Sequence, residues 1–326
     1  MYSQDMTVRM PLLIIWLTWT VGSVSAREST TAVVESVEIG VNAQIAPENV
    51  RGRVYYRVPT GYDPASRISS RVLVFFDGRN CAGEREASGI LGFAAWADAH
   101  NIFIVAPGFK DDDYWQPKRW SGQALRDALA LIRRKYRIDD RNLLFYGYSA
   151  GSQASNLFPA WQPERTRAWV SHAGGVFFRP DAKMKGIAGL VTCGDADFAR
   201  YVISRRFVEQ CRELGINILW KSYPNLNHAV PPESTKFAQD FLAYYHELYI
   251  NDLKPNISAK PVKEPVEYVG DDQDGTFWPA KHKMARAIPK EDCVYFPSLA
   301  LAEAWGTPAR IWLNAQAQIP AATGKP

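Results

Sequence analysis

The sequence has little cysteine, little histidine and no marked excess of charge of either sign. Its 326 residues include 4 Cys and 5 His, and 38 basic side chains against 34 acidic ones give a formal net charge of +4. This balance gives no electrostatic argument for nucleic acid or an anionic membrane surface as a partner. A hydrophobic fraction of 47% excludes a disordered chain. The length fits one large domain with a smaller one.

The few cysteines also limit the chemistry. Cys81, Cys193, Cys211 and Cys293 do not have the spacing of a zinc site, and we expect no bound metal. Four cysteines allow three full disulfide pairings, and an exported protein would permit them. The sequence leaves this pairing open, together with the alternative that the cysteines are small buried side chains.

Long apolar stretches are absent after residue 26, and no internal repeat occurs. Residues 1–26 combine Arg9, the apolar core "MPLLIIWLTWTVG" and "VSA" ending at Ala26. These are the parts of a signal peptide, so we expect a mature start near Arg27 and a secreted or periplasmic protein. An uncleaved membrane anchor is the alternative.

Apolar runs and helical patterns alternate along the middle of the chain. Uninterrupted apolar runs occupy 72–76, 102–106, 143–146, 168–170, 187–191 and 216–220. Runs of this kind are typical of parallel strands that are covered on both faces. Residues 27–250 are therefore predicted to form an α/β domain with a mostly parallel sheet and helices on both faces. The alternating segments 32–39 and 52–59 predict an antiparallel pair at one edge.

The composition of the sequence changes after this domain. Residues 251–265 contain Pro255, Pro261 and Pro265 and are predicted to be a linker. Residues 266–326 regain aromatic side chains and are predicted to be a small C-terminal module that joins the first domain without completing its sheet. Its aromatics, such as Phe277, Trp278 and Trp305, have two possible roles, the core of the module or the binding of substrate.

A serine between two glycines follows the third of these apolar runs. In "FYGYSAGSQA" (145–154), Ser149 lies between Gly147 and Gly151, as a tight turn from strand to helix requires. A serine nucleophile needs a base and a carboxylate that orients the base. Two later loops of the predicted sheet supply them: "GDAD" contains Asp195 and Asp197, and "NLNHAVPP" contains His228.

These motifs resemble the α/β-hydrolase superfamily, and within it the lidless secreted esterases related to polyhydroxybutyrate depolymerases, feruloyl esterases and acetylxylan esterases. Over residues 50 to 250, "YGYSAG" is similar to their nucleophile turn, "CGDAD" to their "HGTAD" turn and "NHAVPP" to their "GHxWP" loop. The resemblance implies an α/β-hydrolase fold with Ser149 as nucleophile, His228 as base and Asp197, rather than Asp195, as the acid. It implies no cofactor.

An oxyanion hole needs two backbone N–H donors. Ala150, directly after the nucleophile, is expected to supply one. The loop "FFDGRN" (75–80) stands where the related esterases carry "HG", and Arg79 or Asn80 is expected to supply the other. Asp77 replaces the histidine of that motif.

Candidate substrate-binding residues come from two loops. Tyr114, Trp115 and Trp120, within 108–122, are predicted to stack on sugar or aromatic rings. His172, in "SHAGG", is a rival base or a residue that lines the site. Only about a dozen residues, "GGVFFRPDAKMKG", precede the run at 187–191, too few for a large lid. An uncapped cleft predicts a bulky, polymeric or carbohydrate-linked ester.

The tail also carries a resemblance of its own. "YVGDDQDGTFWPAKHK" and the residues after it are similar to the metal-binding module of Ada-type DNA-repair proteins, but the ligand cysteines are missing. We therefore expect neither metal nor DNA there. Two alternatives to an esterase stay open: a peptidase or acyltransferase with the same triad, and a non-catalytic carbohydrate-binding protein on a hydrolase scaffold.

Overall fold

The computed structural model describes residues 32–39, 52–79, 82–109, 114–216, 218–250 and 265–309. The predicted signal peptide, Asn80, Cys81, residues 251–264 of the predicted linker and the tail after residue 309 lie outside the described residues. Predictions about those parts remain predictions.

Eight strands form the large sheet, and six of them coincide with the predicted apolar runs. They are β1 (Val33–Glu38), β2 (Arg53–Val58), β3 (Arg71–Phe76), β4 (Ile102–Pro107), β5 (Leu143–Tyr148), β6 (Thr166–His172), β7 (Ala188–Gly194) and β8 (Ile218–Tyr223). Strands β3, β4 and β6 are buried at every residue, because helices cover both faces of the sheet.

The strand order is β1-β2-β4-β3-β5-β6-β7-β8. β1 pairs antiparallel with β2, and β2 pairs antiparallel with β4. The other neighbours are parallel. Both the predicted parallel sheet and the predicted antiparallel pair at one edge are confirmed. Because parallel strands end on the same side, the loops after β3, β5, β6, β7 and β8 meet at one edge. It is called the catalytic edge below because the predicted catalytic residues lie in these loops.

Seven α-helices accompany the strands in the described ranges: α1 (Glu84–Ala87), α2 (Phe93–Ala99), α3 (Gly122–Lys135), α4 (Ala150–Trp161), α5 (Phe198–Glu213), α6 (Pro232–Ile250) and α7 (Leu299–Trp305). α3, α4 and α5 cover one face of the sheet, and α2 and α6 cover the other. The prediction of helices on both faces is therefore confirmed. None of these helices combines the length and apolar character needed to cross a membrane.

The C-terminal module contains a second, four-stranded sheet. Its strands are β9 (Tyr268–Asp271), β10 (Thr276–Pro279), β11 (Cys293–Phe296) and β12 (Thr307–Pro308), in the order β11-β9-β10-β12. The two sheets are separate in the strand order. The presence of a small C-terminal module is confirmed, and its strands in 265–309 do not join the large sheet.

The module shares a hydrophobic core with the domain of the large sheet. Phe277, Phe296 and Trp305 belong to the same buried cluster as Leu219 of β8 and Phe241 of α6. We call this contact the seam. Trp278 instead lies in a smaller cluster within the module. With Phe277, Trp278 and Trp305 all at most 9% exposed, these rings form cores, and the alternative that they bind substrate is wrong.

Polar contacts also cross the seam. The indole Nε1–H of Trp305 donates to the carbonyl of Trp220 in β8 over 2.6 Å. Arg205 of α5 forms an ion pair with Asp272 of the module, and Arg212 lies 3.6 Å from the same carboxylate. The side chain of Asp272 is only 3% exposed, so the two guanidinium groups compensate its buried charge.

The cysteines of the described residues are buried. Cys193, Cys211 and Cys293 are free thiols, and burial raises the pKa of Cys193 and of Cys211 to about 12. Thiols with such pKa values are protonated and unreactive near neutral pH. Of the two possibilities left open by the sequence, these three cysteines follow the one of small buried side chains.

Candidate active site

The turn at Ser149 joins β5 to α4 in a strained conformation. Ser149 has φ 55° and ψ −121°, in a region that residues with a side chain rarely adopt. A Cβ atom added at Gly147 would lie 2.1 Å from the carbonyl oxygen of Gly151, and one at Gly151 would lie 2.2 Å from that of Asp77. Only glycine fits at these two positions, which is the physical reason for the motif.

Ser149, His228 and Asp197 form a hydrogen-bonded row on the catalytic edge. Nε2 of His228 lies 2.8 Å from Ser149 Oγ, and Nδ1 lies 2.6 Å from Asp197 Oδ2. Since a carboxylate can only accept, Nδ1 carries the proton and Nε2 is free to accept from the serine hydroxyl. The side chain of His228 is 32% exposed and that of Asp197 is 7% exposed. The row can therefore act as nucleophile, base and orienting carboxylate.

The two candidate acids have different partners. Asp197 contacts His228 and also accepts from Arg200 Nη1 over 3.1 Å. Asp195 accepts from the backbone N–H of Asn225 over 2.7 Å, and so it fixes the start of the loop that carries His228. Asp195 therefore has the contacts of a loop-stabilising residue, and Asp197 alone faces the imidazole.

The expected oxyanion hole is only partly within the described residues. Ala150 is the first residue of α4, so its N–H points out of the helix N-terminus, where negative charge is favoured. A Cβ atom added at Gly78 would lie 3.7 Å from Ser149 Cβ, which brings the loop after β3 against the nucleophile. Asp77 forms an ion pair with Arg85, and the exposed Arg79 follows Gly78. Asn80 lies outside the described residues, so the second donor remains a prediction.

Two of the predicted substrate-stacking aromatics are core residues. Tyr114 is 1% exposed and its ring stacks on Phe76, whereas Trp120 is 6% exposed and packs edge-on against Phe109. The prediction for these two residues is wrong, because no ring face is left for a ligand. Trp115 is half-buried and packs against Tyr114; its role in substrate binding remains a prediction.

His172 does not line the cleft. The residue is fully buried at the end of β6, beside the nucleophile strand, and burial lowers the pKa of its imidazole to about 4. The prediction that it contacts substrate is wrong, and it cannot replace His228 as base because its ring does not contact Ser149 Oγ. Its ring nitrogens instead lie within hydrogen-bonding distance of side chains of β7 and α6 and of the backbone of the loop after β8, as described further below.

Sequence reasoning missed two residues beside the triad. The hydroxyl of Tyr148 donates to the carbonyl of His228 over 3.0 Å, and the two rings stack with centroids 5.0 Å apart. Its signal was its position directly before the nucleophile. Phe198 follows Asp197 and is 75% exposed, an unusual state for a large apolar side chain. Its position next to the candidate acid could have marked it.

No group of three or more His, Cys, Asp or Glu side chains in the described ranges is arranged to hold a metal ion. A groove of about 780 Å³ lies among basic residues of 133–141 and the loop before β3. This groove is at the amino ends of β3 and β5, on the side of the sheet opposite Ser149. The groove is therefore remote from Ser149, and the hydrogen-bonded row identifies the candidate site.

Comparisons with known proteins concern the fold. No protein-family model matches the sequence, and no curated protein matches it. A solved ferulic acid esterase from the anaerobic fungus Anaeromyces mucronatus is similar over 69% of this chain and 95% of its own, with a TM-score of 0.50 and 15% identity. A second ferulic acid esterase matches over 67% of this chain and 98% of its own, with a TM-score of 0.50 and 14% identity. A thermostable esterase has a TM-score of 0.47 and 16% identity, and the match spans 68% of this chain and 62% of that one.

Proposed function

We propose that this chain, which has the α/β-hydrolase fold, is a serine hydrolase that cleaves carboxylic esters through Ser149, His228 and Asp197. The observation that carries the proposal is the continuous row from Ser149 Oγ to His228 Nε2, 2.8 Å, and from His228 Nδ1 to Asp197 Oδ2, 2.6 Å. A hydroxyl in this arrangement loses its proton to the imidazole as it attacks, so it becomes a competent nucleophile at neutral pH.

In the first half of the reaction, Ser149 Oγ forms a bond to the ester carbonyl carbon while its proton moves to His228 Nε2. The carbonyl electron pair moves to oxygen, where the N–H of Ala150 donates to it. Asp197 stabilises the imidazolium through Nδ1–H. The tetrahedral intermediate then collapses: the bond to the alcohol oxygen breaks, and His228 gives its proton to the departing alkoxide.

In the second half, water replaces the alcohol. His228 Nε2 takes a proton from the water as its oxygen attacks the acyl carbon, and the same backbone donors hold the second oxyanion. Collapse releases the carboxylic acid, and the proton returns from His228 to Ser149 Oγ. Every proton is handled by one imidazole, and the proposed chemistry needs no cofactor.

The surroundings of Ser149 favour a bulky or polymeric ester. Residues 173–187, all described, connect β6 to β7 and contain only a short 3₁₀ turn at Ala182–Met184. A connection of this size is too short to form a large lid over the cleft. The exposed ring of Phe198 adds an apolar surface next to the acid. We include feruloyl and other plant-polysaccharide acyl esters and polyesters, because the ferulic acid esterases share the fold.

Export belongs to the same proposal. The signal peptide at residues 1–26, if cleaved near Arg27, would deliver the enzyme to the periplasm or the medium, where polymeric substrates are found. N-terminal sequencing of the mature protein and fractionation of an expressing cell test this. A protein that keeps residues 1–26 and stays in the cytoplasm would contradict it.

A substrate panel tests the reaction class. The purified enzyme is assayed on p-nitrophenyl acetate and butyrate, methyl ferulate, acetylated xylan and a peptide substrate, with Ser149→Ala as the control. We expect ester hydrolysis that the variant lacks, and covalent labelling of Ser149 by a fluorophosphonate. Peptide cleavage without ester hydrolysis would favour a peptidase. Acyl transfer to an added alcohol in preference to water would favour an acyltransferase. Inertness toward every substrate and toward the fluorophosphonate would favour a non-catalytic protein.

A further inference from the structure

We propose that His172 is a positioning residue that holds Ser149 and His228 at hydrogen-bonding distance from each other. The inference rests on the proposed function, since it concerns the same triad. His172 touches neither the serine hydroxyl nor the cleft. It bonds to the backbone of the nucleophile turn through its own carbonyl, and to the backbone of the base loop through its ring.

The carbonyl of His172 accepts from the backbone N–H of Ser149 over 3.0 Å. This bond continues the parallel pairing of β5 with β6, in which Tyr148 lies opposite His172. The nucleophile itself has φ 55°, so its strained turn needs fixed partners. The backbone of His172 supplies one of them.

The ring of His172 supports the loop of the base. Its Nε2 lies 2.7 Å from the carbonyl oxygen of Ala229, the residue after His228. A carbonyl can only accept, so Nε2 carries a hydrogen and donates it. Tyr148 supports the same loop from its hydroxyl, which donates to the carbonyl of His228 over 3.0 Å. The loop between β8 and α6 is thus held at two consecutive carbonyls.

The far side of the ring explains why a histidine suits this position. Two hydroxyls reach Nδ1: Thr192 Oγ1 at 2.6 Å and Ser234 Oγ at 2.9 Å. Either can donate to the single lone pair of a bare Nδ1, which is the acceptor that a neutral ring protonated on Nε2 presents. Burial lowers the pKa of His172 to about 4, so the ring stays neutral near pH 7. One uncharged side chain therefore joins β7, α6 and the base loop.

A non-polar side chain would break this connection. It would leave the carbonyl of Ala229 without its side-chain donor and the hydroxyls of Thr192 and Ser234 without their acceptor. The loop would then be free to shift His228 relative to Ser149. A displacement of about 1 Å costs on the order of 10²-fold in rate. Substrate affinity would change little, since His172 does not contact the cleft.

The test compares His172→Leu with His172→Gln. We expect His172→Leu to lower kcat by roughly 10- to 100-fold with KM within about twofold of wild type. His172→Gln has a similar volume and an amide N–H that can donate to the Ala229 carbonyl. We expect it to restore kcat to within about threefold of wild type. Both variants are assayed on a p-nitrophenyl ester at 25 °C, after their melting temperatures and folded fractions have been measured.

A matched control separates positioning from packing. His246 of α6 is also a buried histidine, 4% exposed, with a pKa lowered by burial to about 3, but it contacts His100 rather than the triad. His246→Leu should change the melting temperature and leave kcat per folded molecule unchanged. If His172→Leu fails to fold, the double variant Thr192→Val/Ser234→Ala removes both donors to Nδ1 and should lower kcat several-fold.

Two results would overturn the inference in an active enzyme. One is a wild-type kcat in His172→Leu or, where that variant does not fold, in the double variant. The other is an equal loss of kcat in the Leu and Gln variants, which would mean that the donor to Ala229 has no role. A wild-type protein that neither hydrolyses an ester nor reacts with a fluorophosphonate at Ser149 would overturn the proposed function itself, and this inference with it.

Discussion

The catalytic edge and the seam are organised by different forces. At the catalytic edge a few polar atoms meet through single hydrogen bonds, and the backbone is strained: Ser149, Ala173 and Asn225 all have positive φ without being glycine. At the seam, large apolar rings such as Phe277 and Trp305 are buried together. Strain of this kind costs about 1–3 kcal/mol per residue, whereas each buried aromatic contributes several kcal/mol. The edge therefore has the strain and polar contacts that the proposed reaction requires, whereas the seam contributes stability.

The largest difference between the effect of a substitution on activity and its effect on stability is expected at Ser149. Ser149→Ala should lower kcat by a factor on the order of 10⁴ or more, because the triad acts as a unit. The folded state should not be destabilised, since the hydroxyl is not a core group. Esterase assays and thermal melts check both statements.

The backbone strain at Ser149 allows a second substitution to be compared with Ser149→Ala. Ser149→Gly should be equally inactive and should melt at a higher temperature than Ser149→Ala, because glycine adopts φ 55° without strain. A glycine variant that melts below the alanine variant would contradict the assignment of strain to the nucleophile turn.

Substitutions of Asp195 and Asp197 test which of these two carboxylates orients His228. Asp197→Asn should lower kcat by about 10³- to 10⁴-fold, because an amide N–H facing Nδ1 favours the wrong tautomer of His228. Asp195→Asn should cost less than about tenfold, because the new side-chain oxygen can still accept from Asn225 N–H. Steady-state kinetics on the same ester compare them. The reverse ranking would assign the acid to Asp195.

The seam should respond in the opposite way. Trp305→Ala removes a ring that packs on Phe296 and donates to Trp220, and we expect it to lower the free energy of unfolding by about 3–5 kcal/mol. Trp305→Phe, which keeps most of the ring, should cost about 1 kcal/mol through the lost hydrogen bond. Urea denaturation gives both values. A loss of kcat per folded molecule without loss of stability would show that the module shapes the active site.

The most gradual expected effect is a dependence of stability on pH that originates at the catalytic edge. Since the pKa of His172 is lowered to about 4 in the folded state, the unfolded chain binds the proton more readily between pH 6.5 and 4. Stability should therefore fall as pH falls through this window, by at most about 3 kcal/mol from this residue. Urea denaturation at several pH values should give a shallower dependence for His172→Gln. Identical slopes for the two proteins would contradict the buried neutral ring.

Local patterns in the sequence predicted the parts of the molecule that depend on order along the chain. The apolar runs located six strands, and the parallel sheet explains why Ser149, Asp197 and His228 meet at one edge. Burial of individual side chains was not predictable in this way. Tyr114 is a core residue because its ring stacks on Phe76, which lies elsewhere in the sequence, and Trp120 packs against Phe109 of the same loop.

The same limit applies to His172 and to the tail. The ring partners of His172 lie 20, 57 and 62 residues away in the sequence. No local pattern therefore distinguishes a buried positioning residue from a residue that lines the cleft. The aromatic content of the tail indicated a core, but not which surface it would face. The seam depends on Leu219 and Phe241, whose buried state follows from tertiary packing.

The bond from Trp305 to Trp220 has a consequence for assembly of the chain. β8 is the last strand of the large sheet, so its outer backbone groups form an open edge of the kind that pairs with other chains. Trp305, whose side chain bonds to this edge, lies 85 residues after Trp220 in the sequence. Until then the nascent polypeptide presents both an unprotected strand and the apolar face of α6. Chains truncated before residue 305 should therefore aggregate, although they already contain Ser149, Asp197 and His228.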